Sequence, residues 1–337
     1  MQSQHRFVSV GTLLAMVIGL AVGYGIASIQ AHFWERDFFE EVRPLRIADP
    51  AFPLIHRLIA YEVPQATAIP EYAELRRKVQ SLVNSILQKG DVQDLSVYYR
   101  SVETGRWVGV NENESYYPAS LLKVPLMLGY FKARETDPGL FSRRIVYEPG
   151  SARTDFEAES TLVSGKSYTV LELLEKMIID SDNGAAYVLF DRIDQDLLAS
   201  VYERLGVQKP GDDSSGYEIP TKIYALFFRT LYNGTYLRQS ASEEALEMLS
   251  KTTYREGLVA GVAEGTIVAH KFGEHIVTEN GTPVGEELHD CGIIYKAVNK
   301  PAHPYILCVM TRAKTLEAAT AAISTISKLV YESESAD

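Results

Sequence analysis

Ser120 and Lys123 stand one helical turn apart in the stretch YYPASLLKVPLMLGYFK, residues 116–132. A spacing of three puts both side chains on one helix face, so hydroxyl and amine can meet. A serine hydroxyl is a weak nucleophile until a neighbour removes its proton, and an adjacent amine is able to do so. Alone, the pair fits a capping serine followed by a solvated lysine equally well. Two further groups bear on the choice. Ser181, Asp182 and Asn183 lie in IIDSDNGAA, where one helical pattern ends and another begins, and Lys271 and Gly273 lie in VAHKFGEH, near a strand end. Each of these has an ordinary reading as well, a helix cap or a bend at a strand edge. Taken together and in order, at a helix start, a helix junction and a strand end, the three groups go beyond those ordinary readings. His270 adjoins Lys271, but neighbours on a strand point to opposite faces, so it reads as a packed core histidine.

The elements that must position these residues are legible from periodicity. EYAELRRKVQSLVNSILQKG places Leu75, Val79, Leu82, Val83 and Ile86 on one helix face, with Gly90 ending it. LSVYYRS and RWVGVN flank VETG as two strands around a tight turn that uses Gly105. Thr169 and Glu172 form a capping box ahead of an apolar stripe. Further helical patterns cover about residues 184–205, 220–232 and 242–250. Three strand patterns follow, TIVAHKFG, HDCGIIYKA and YILCVMT, and then a helix over about 316–330. One domain whose sheet draws strands from both ends of the chain, with a helical middle as a second lobe, accounts for this order.

The formal net charge of −11 excludes nucleic acid as a partner, since nothing would neutralise phosphates. No C-x-x-C or H-x-x-x-H spacing supports a metal site, and no cofactor is expected. Residues 7–29, FVSVGTLLAMVIGLAVGYGIASI, carry no charge and are long enough to span a bilayer. His5 and Arg6 precede them and Glu35, Asp37, Glu40 and Glu41 follow, so the expected topology is a cytoplasmic 1–6, a plasma-membrane anchor at 7–29 and an extracytoplasmic remainder. A cleaved signal peptide is the alternative, with GIA at 25–27 as the cleavage site, but the apolar run exceeds the usual signal core. Gly19 and Gly23 form a small-xxx-small pair. Residues 30–70, broken by Pro44, Pro50, Pro53 and Pro64, read as a juxtamembrane linker, and 71–334 as the main domain. Cys291 and Cys308 fall on expected neighbouring strands, where buried free thiols are expected rather than a bridge.

With these residues in place, the sequence resembles the class A β-lactamase-like serine hydrolases of the β-lactamase and penicillin-binding protein superfamily. The motifs are S-x-x-K at Ser120–Lys123, S-D-N at Ser181–Asn183 and a K-T-G-like Lys271-Phe272-Gly273. The resemblance extends over about residues 72–334, through VYYRSVETGRWVGVNENESYYPASLLKVPLML and HDCGIIYKAVNKPAHPYILCVMTR. It implies an α/β fold of the α+β kind, with an antiparallel five-stranded sheet flanked by helices, beside an all-helical lobe, and a cleft between the lobes. It also implies catalytic roles for Ser120 as nucleophile, Lys123 as base and Ser181 as proton relay. Asn183 would hold a substrate amide, Lys271 would lend positive potential and Gly273 would let substrate lie close. The amides of Ser120 and Glu274 would form the oxyanion hole.

Two departures qualify what the resemblance implies. The family's Glu-x-x-Leu-Asn loop, whose glutamate activates the deacylating water, has no counterpart in the short VQKPGDDSSGYEI between Gly206 and Pro220. Glu218 is expected to be a solvated loop carboxylate rather than its substitute. Phe272 lacks the hydroxyl that helps bind a substrate carboxylate, and Glu274 follows Gly273 with a negative charge. The leading expectation is a membrane-anchored hydrolase acting on a β-lactam or related amide or ester outside the cytoplasm. A D,D-peptidase-like or penicillin-binding acyl transferase with slow deacylation, taking a cell-wall peptide, is one alternative. A non-hydrolytic protein that binds a cell-wall peptide or a partner is the other.

Overall fold

Leu75, Val79 and Val83 are buried along one face of the first helix, α1 (Pro70–Gln88), as their spacing requires. The structure is a computed structural model that describes residues 70–148, 160–211, 216–279, 281–296 and 303–334. The expected anchor at 7–29 and nearly all of the linker lie outside the described residues. Among the described residues no helix is long and apolar enough to cross a membrane.

After α1 the chain forms β1 (Val92–Ser101) and β2 (Trp107–Val110), a hairpin turned at Gly105 with φ +71°. A short β3 (Ser115–Tyr116) leads through a 3₁₀ turn, Ala119–Leu122, into α2 (Lys123–Arg134). The helical lobe follows: β4 (Arg144–Val146), β5 (Ser167–Thr169), α3 (Val170–Ile179), α4 (Asn183–Arg192), α5 (Gln195–Leu205), β6 (Ile219–Pro220), α6 (Thr221–Asn233) and α7 (Gln239–Ser250). The chain closes with β7 (Ile267–Glu279), β8 (Thr282–Tyr295), β9 (Tyr305–Ala313) and α8 (Leu316–Ser333). The main sheet is five-stranded and antiparallel in the order β2-β1-β9-β8-β7, so strands from both ends of the chain do pair.

Strand alternation divides the core in two. One sheet face buries Leu95, Val97, Tyr99, Leu307 and Val309 against α1 and α8. The other buries Tyr98, Cys291, Ile293, Ile306, Cys308 and Met310 in a cluster shared with the helical lobe.

Three expectations change. The helix expected over 184–205 is two helices, because Ile193 turns to an extended conformation and Asp194 caps α5 through the amides of Asp196 and Leu197. The strands expected at 266–273 and 289–297 are the inner halves of a longer β7–β8 hairpin around Gly281, whose φ is +77°. Cys291 and Cys308, expected as free thiols, are direct cross-strand partners and form a disulfide. That bridge closes a loop of sequence separation 17, which by chain entropy stabilises the fold by about 3 kcal/mol. A Cys291→Ala/Cys308→Ala protein is therefore expected to lose about that much in denaturant titration. An unchanged midpoint would contradict the bridge's contribution.

Candidate active site

Antiparallel register places three successive cross-strand rows on the sheet face that meets the helical lobe. The first holds Lys271, Cys291, Cys308 and Tyr98; the second Gly273, His289, Met310 and Ser96; the third His275, Glu287, Arg312 and Asp94. The segment that carries Ser120 lies across the second and third rows. The Tyr116 hydroxyl hydrogen-bonds Ser96 Oγ at 2.9 Å, and the Tyr116 ring takes the Arg312 guanidinium at 5.6 Å. Arg312 is itself fixed between Glu287, at 2.7 Å, and Asp94, at 2.9 Å. The Tyr117 ring packs on His275 with centroids 4.6 Å apart.

Ser120 sits in the 3₁₀ turn and Lys123 is the first residue of α2. In a 3₁₀ turn residues three apart eclipse one another, which aligns the two side chains more closely than an α-helix does. Ala119, immediately before Ser120, has φ +50°, a left-handed conformation costing a Cβ residue about 1–2 kcal/mol. The surroundings hold it there. Tyr224 donates to the Leu121 carbonyl at 2.9 Å, and the Leu121 amide closes on Pro118 O at 2.9 Å. Gly273 leaves no room for a side chain: a Cβ would stand 2.8 Å from Pro118 O and 3.1 Å from Ser120 N. Strand β7 thus lies directly against the Ser120 peptide, with the Glu274 peptide one residue along.

The S-D-N junction is the turn between α3 and α4. The Thr169–Glu172 capping box starts α3 as expected. At the other end Ser181 takes φ +58°, which swings it out of both helices. Asp182 anchors the turn by accepting from Ala185 N at 2.8 Å, Ser160 Oγ at 2.8 Å and Thr161 N at 2.6 Å. Burial acts to raise the Asp182 pKa, but these donors together outweigh it and hold the carboxyl below its ordinary range.

The junction brings the expected polar residues together. Lys123 Nζ donates to Ser181 O, to Ser181 Oγ at 3.1 Å and to Asn183 Oδ1 at 2.7 Å. Lys271 Nζ donates to the same Ser181 Oγ at 2.9 Å and to Phe272 O at 2.8 Å. An oxygen that accepts from two amines has its own hydrogen left to donate, so Ser181 is set up to pass a proton. Lys123 is 6% exposed and Lys271 wholly buried. Burial first, and then the neighbouring Lys123 charge, push the Lys271 pKa well below its ordinary value, against the pull of Asp290 and Glu274. The expected positive potential of Lys271 is therefore confined to Ser181 and its surroundings rather than presented to solvent.

Phe272 and Glu274 lie, by alternation, on the opposite face of β7 from Lys271 and Gly273. Phe272 stacks on Tyr254 with centroids 4.3 Å apart, and its ring also comes 4.1 Å from Lys271 Nζ. The side chain of Glu274 is exposed, and its charge reaches both Lys271 and Tyr254. His270 is a core histidine as expected, bonded through Nδ1 to the buried Asp290 at 2.8 Å. Glu218 is exposed just before β6, and the charge it acts on is Glu287 rather than Lys271. Tyr116, Tyr254, His289 and Arg312 escape a reading of sequence, because strand register (His289, Arg312) and tertiary packing (Tyr116, Tyr254) bring them to the site. Among the described residues no group of His, Cys, Asp and Glu side chains is arranged to hold a metal.

A model of the β-lactamase enzyme family matches residues 74–333. No curated protein matches the sequence. Among solved structures the chain is similar to PBP-A at 20% identity and a TM-score of 0.64, over 78% of this chain and 97% of that one. It is similar to a point mutant of PBP-A, an acyl-enzyme complex with penicillin G, at 20% identity and a TM-score of 0.64, over 79% and 97%. A β-lactamase from Desulfarculus baarsii DSM 2075 matches at 20% identity and a TM-score of 0.64, over 76% and 97%. At these identities the structural likeness shows the fold.

Proposed function

The chain belongs to the β-lactamase enzyme family and is a serine hydrolase of that type, and from that premise we propose that it works through an acyl-enzyme formed on Ser120. Lys123 takes the Ser120 proton as the hydroxyl oxygen bonds to the substrate carbonyl. A proton then passes from Lys123 through Ser181 Oγ to the leaving atom as its bond to the carbonyl carbon breaks, and the lysine returns to its starting state. The amides of Ser120 and Glu274 stabilise the negative oxygen that develops in between. Asn183, whose Oδ1 is committed to Lys123, binds a substrate carbonyl through Nδ2. Gly273 lets substrate lie along β7. The observation that carries this reading is Ser181 Oγ between two lysine amines, at 3.1 and 2.9 Å. Two ammonium groups on one half-buried hydroxyl repel, which favours loss of a proton from the pair and leaves it able to accept one. Labelling of Ser120 by a fluorophosphonate or a fluorescent penicillin tests the assignment.

The substrate class is a β-lactam or a related amide or ester, with a cell-wall peptide as the second reading. A solved relative of the same fold, the PBP-A mutant, forms an acyl-enzyme with penicillin G, which supports acylation by a β-lactam. Phe272, spent on Tyr254, supports weaker recognition of a substrate carboxylate than a threonine hydroxyl provides. A hydrogen bond to a charged group contributes about 1.5–3 kcal/mol, so Phe272→Thr is expected to raise the second-order rate of penicillin acylation by about 10-fold or more. A rate that stays level or falls would contradict this account of specificity.

The finer setting is a single-pass plasma-membrane protein anchored by residues 7–29, with residues 71–334 outside the cytoplasm. The charge difference across that span supports the orientation. The Cys291–Cys308 bridge supports an oxidising compartment. Protease added to intact spheroplasts is expected to digest the C-terminal domain; full protection until lysis would contradict the topology.

A further inference from the structure

His289 stands in the same cross-strand row as Gly273, one strand behind it. It is wholly buried, and its imidazole spans two elements. Nδ1 accepts the Thr311 amide from β9 at 3.3 Å, while Nε2 lies 3.0 Å from the carbonyl of Tyr117. The Thr311 N–H directed at Nδ1 assigns the ring proton to Nε2, which donates to Tyr117. Tyr117 is the last residue before the Pro118–Ala119–Ser120 turn, and its carbonyl is the turn's upstream fixed point. The missing side chain at Gly273 matters here. It admits the Ser120 peptide to β7, and it leaves the Pro118 carbonyl, next to Tyr117, within reach of the same strand.

We propose that His289 is a positioning residue for the nucleophile, holding the strained turn that carries Ser120 by its hydrogen bond to the Tyr117 carbonyl. The inference rests on the reading of Ser120 as the acylated residue. The turn has a reason to need such a clamp. Ala119 sits in a conformation that an L-residue leaves when nothing restrains it, and the downstream side is already fixed by Tyr224 and Gly273. Without the upstream clamp the turn relaxes toward an ordinary backbone, and Ser120 moves relative to Lys123 and to the amides beside it. The surroundings also keep the clamp constant with pH. Burial, foremost, and the charges of Arg312 and His275 lower the His289 pKa to about 4, against the backbone of Tyr117 and of Leu288, which raise it. Tyr116 contacts the ring edge-on at 5.4 Å and carries no charge in this range.

Two substitutions separate the clamp from mere filling of space. In His289→Gln the amide nitrogen takes the place of Nε2 and keeps the donor to Tyr117. In His289→Asn the side-chain oxygen takes the place of Nδ1, keeping the acceptor for Thr311 and losing the link to Tyr117. The full chain is labelled with a fluorescent penicillin, and the acylation step is resolved from reversible binding. Misplacing a reacting group by about 1 Å costs about 10²-fold. His289→Asn is accordingly expected to lose 10-fold or more in the acylation rate constant with reversible binding unchanged, and His289→Gln to recover most of that loss. A folded His289→Asn protein that acylates at the wild-type rate would overturn the proposal, as would a folded His289→Gln protein as slow as His289→Asn. If neither variant folds, nitrogen NMR of the wild-type protein decides. A His289 imidazole with its proton on Nε2 and no titration between about pH 5 and 9 supports the clamp, and a proton on Nδ1 overturns it. Absence of any label on wild-type Ser120 would overturn the underlying reading and this proposal with it, whereas wild-type labelling retained in His289→Asn removes this proposal alone.

Discussion

Replacing Lys123 with alanine is expected to slow acylation of Ser120 by about 10²–10⁴-fold, the range for removal of a general base. The geometry makes the loss specific. Lys123 begins α2 three residues after Ser120, and its amine is held by Ser181 O, Ser181 Oγ and Asn183 Oδ1. No other amine is so placed among the described residues. Lys271 reaches the same Ser181 oxygen from β7 and is bound to Phe272 O. Lys123→Arg is not a conservative replacement, because a guanidinium stays protonated and offers no base. Ser120→Ala should abolish labelling by a fluorophosphonate or a fluorescent penicillin outright. Undiminished labelling of Ser120→Ala would show that the reactive serine lies elsewhere. A Lys123→Ala rate within a few-fold of wild type would show that some other group takes the proton.

The acyl-enzyme, once formed, is expected to persist. Release needs a base that holds water against the ester, and losing such a base removes about 10²–10⁴-fold from a step. Among the described residues the carboxylates whose charge reaches Lys271 are Asp290 and Glu274. Asp290 is fully buried and occupied by His270 and the Leu258 amide, and the side chain of Glu274 is exposed, its charge acting on Lys271 and Tyr254. Glu218 is exposed near Glu287. Stopped-flow measurement should show a burst of one product per active site, followed by a nearly flat line. Glu218→Gln should leave the decay of the adduct unchanged. Rapid, burst-free turnover of penicillins that survives Glu218→Gln would place water activation on another residue and refute slow release.

What was legible in the sequence is what short-range chemistry determines. The Thr169–Glu172 capping box, the α1 stripe and the Gly105 hairpin are each set by residues within a turn or two of one another. The candidate site shares that property: Ser120–Lys123, Ser181–Asn183 and Lys271–Gly273 are three short local groups, and the fold's part is to join them. Where the local signal is weak, the reading failed. The apolar stripe runs on from Leu189 through Ile193 to Leu197 and Val201, which hides the break that Asp194 makes between α4 and α5. The outer half of the β7–β8 hairpin exposes Ile276 and Val284, so its alternation says little, although Asn280-Gly281 is a hairpin signal by itself. Cross-strand neighbours are beyond any local pattern. The Cys291–Cys308 bridge and the Arg312–Glu287 pair depend on the exact register of β8 on β9, and the reach of His289 to Tyr117 joins segments far apart in the chain.

The central claim is an acyl-enzyme on Ser120, and an intact-mass time course of the full-length protein with a penicillin tests it most directly. The expected result is a mass increase of one acyl group per chain, reached quickly and decaying slowly. Tandem mass spectrometry should then assign the adduct to Ser120. The same increase should be missing in Ser120→Ala. An adduct assigned to a different residue, or no adduct with a penicillin, a fluorophosphonate or a D-Ala-D-Ala peptide, would contradict the account.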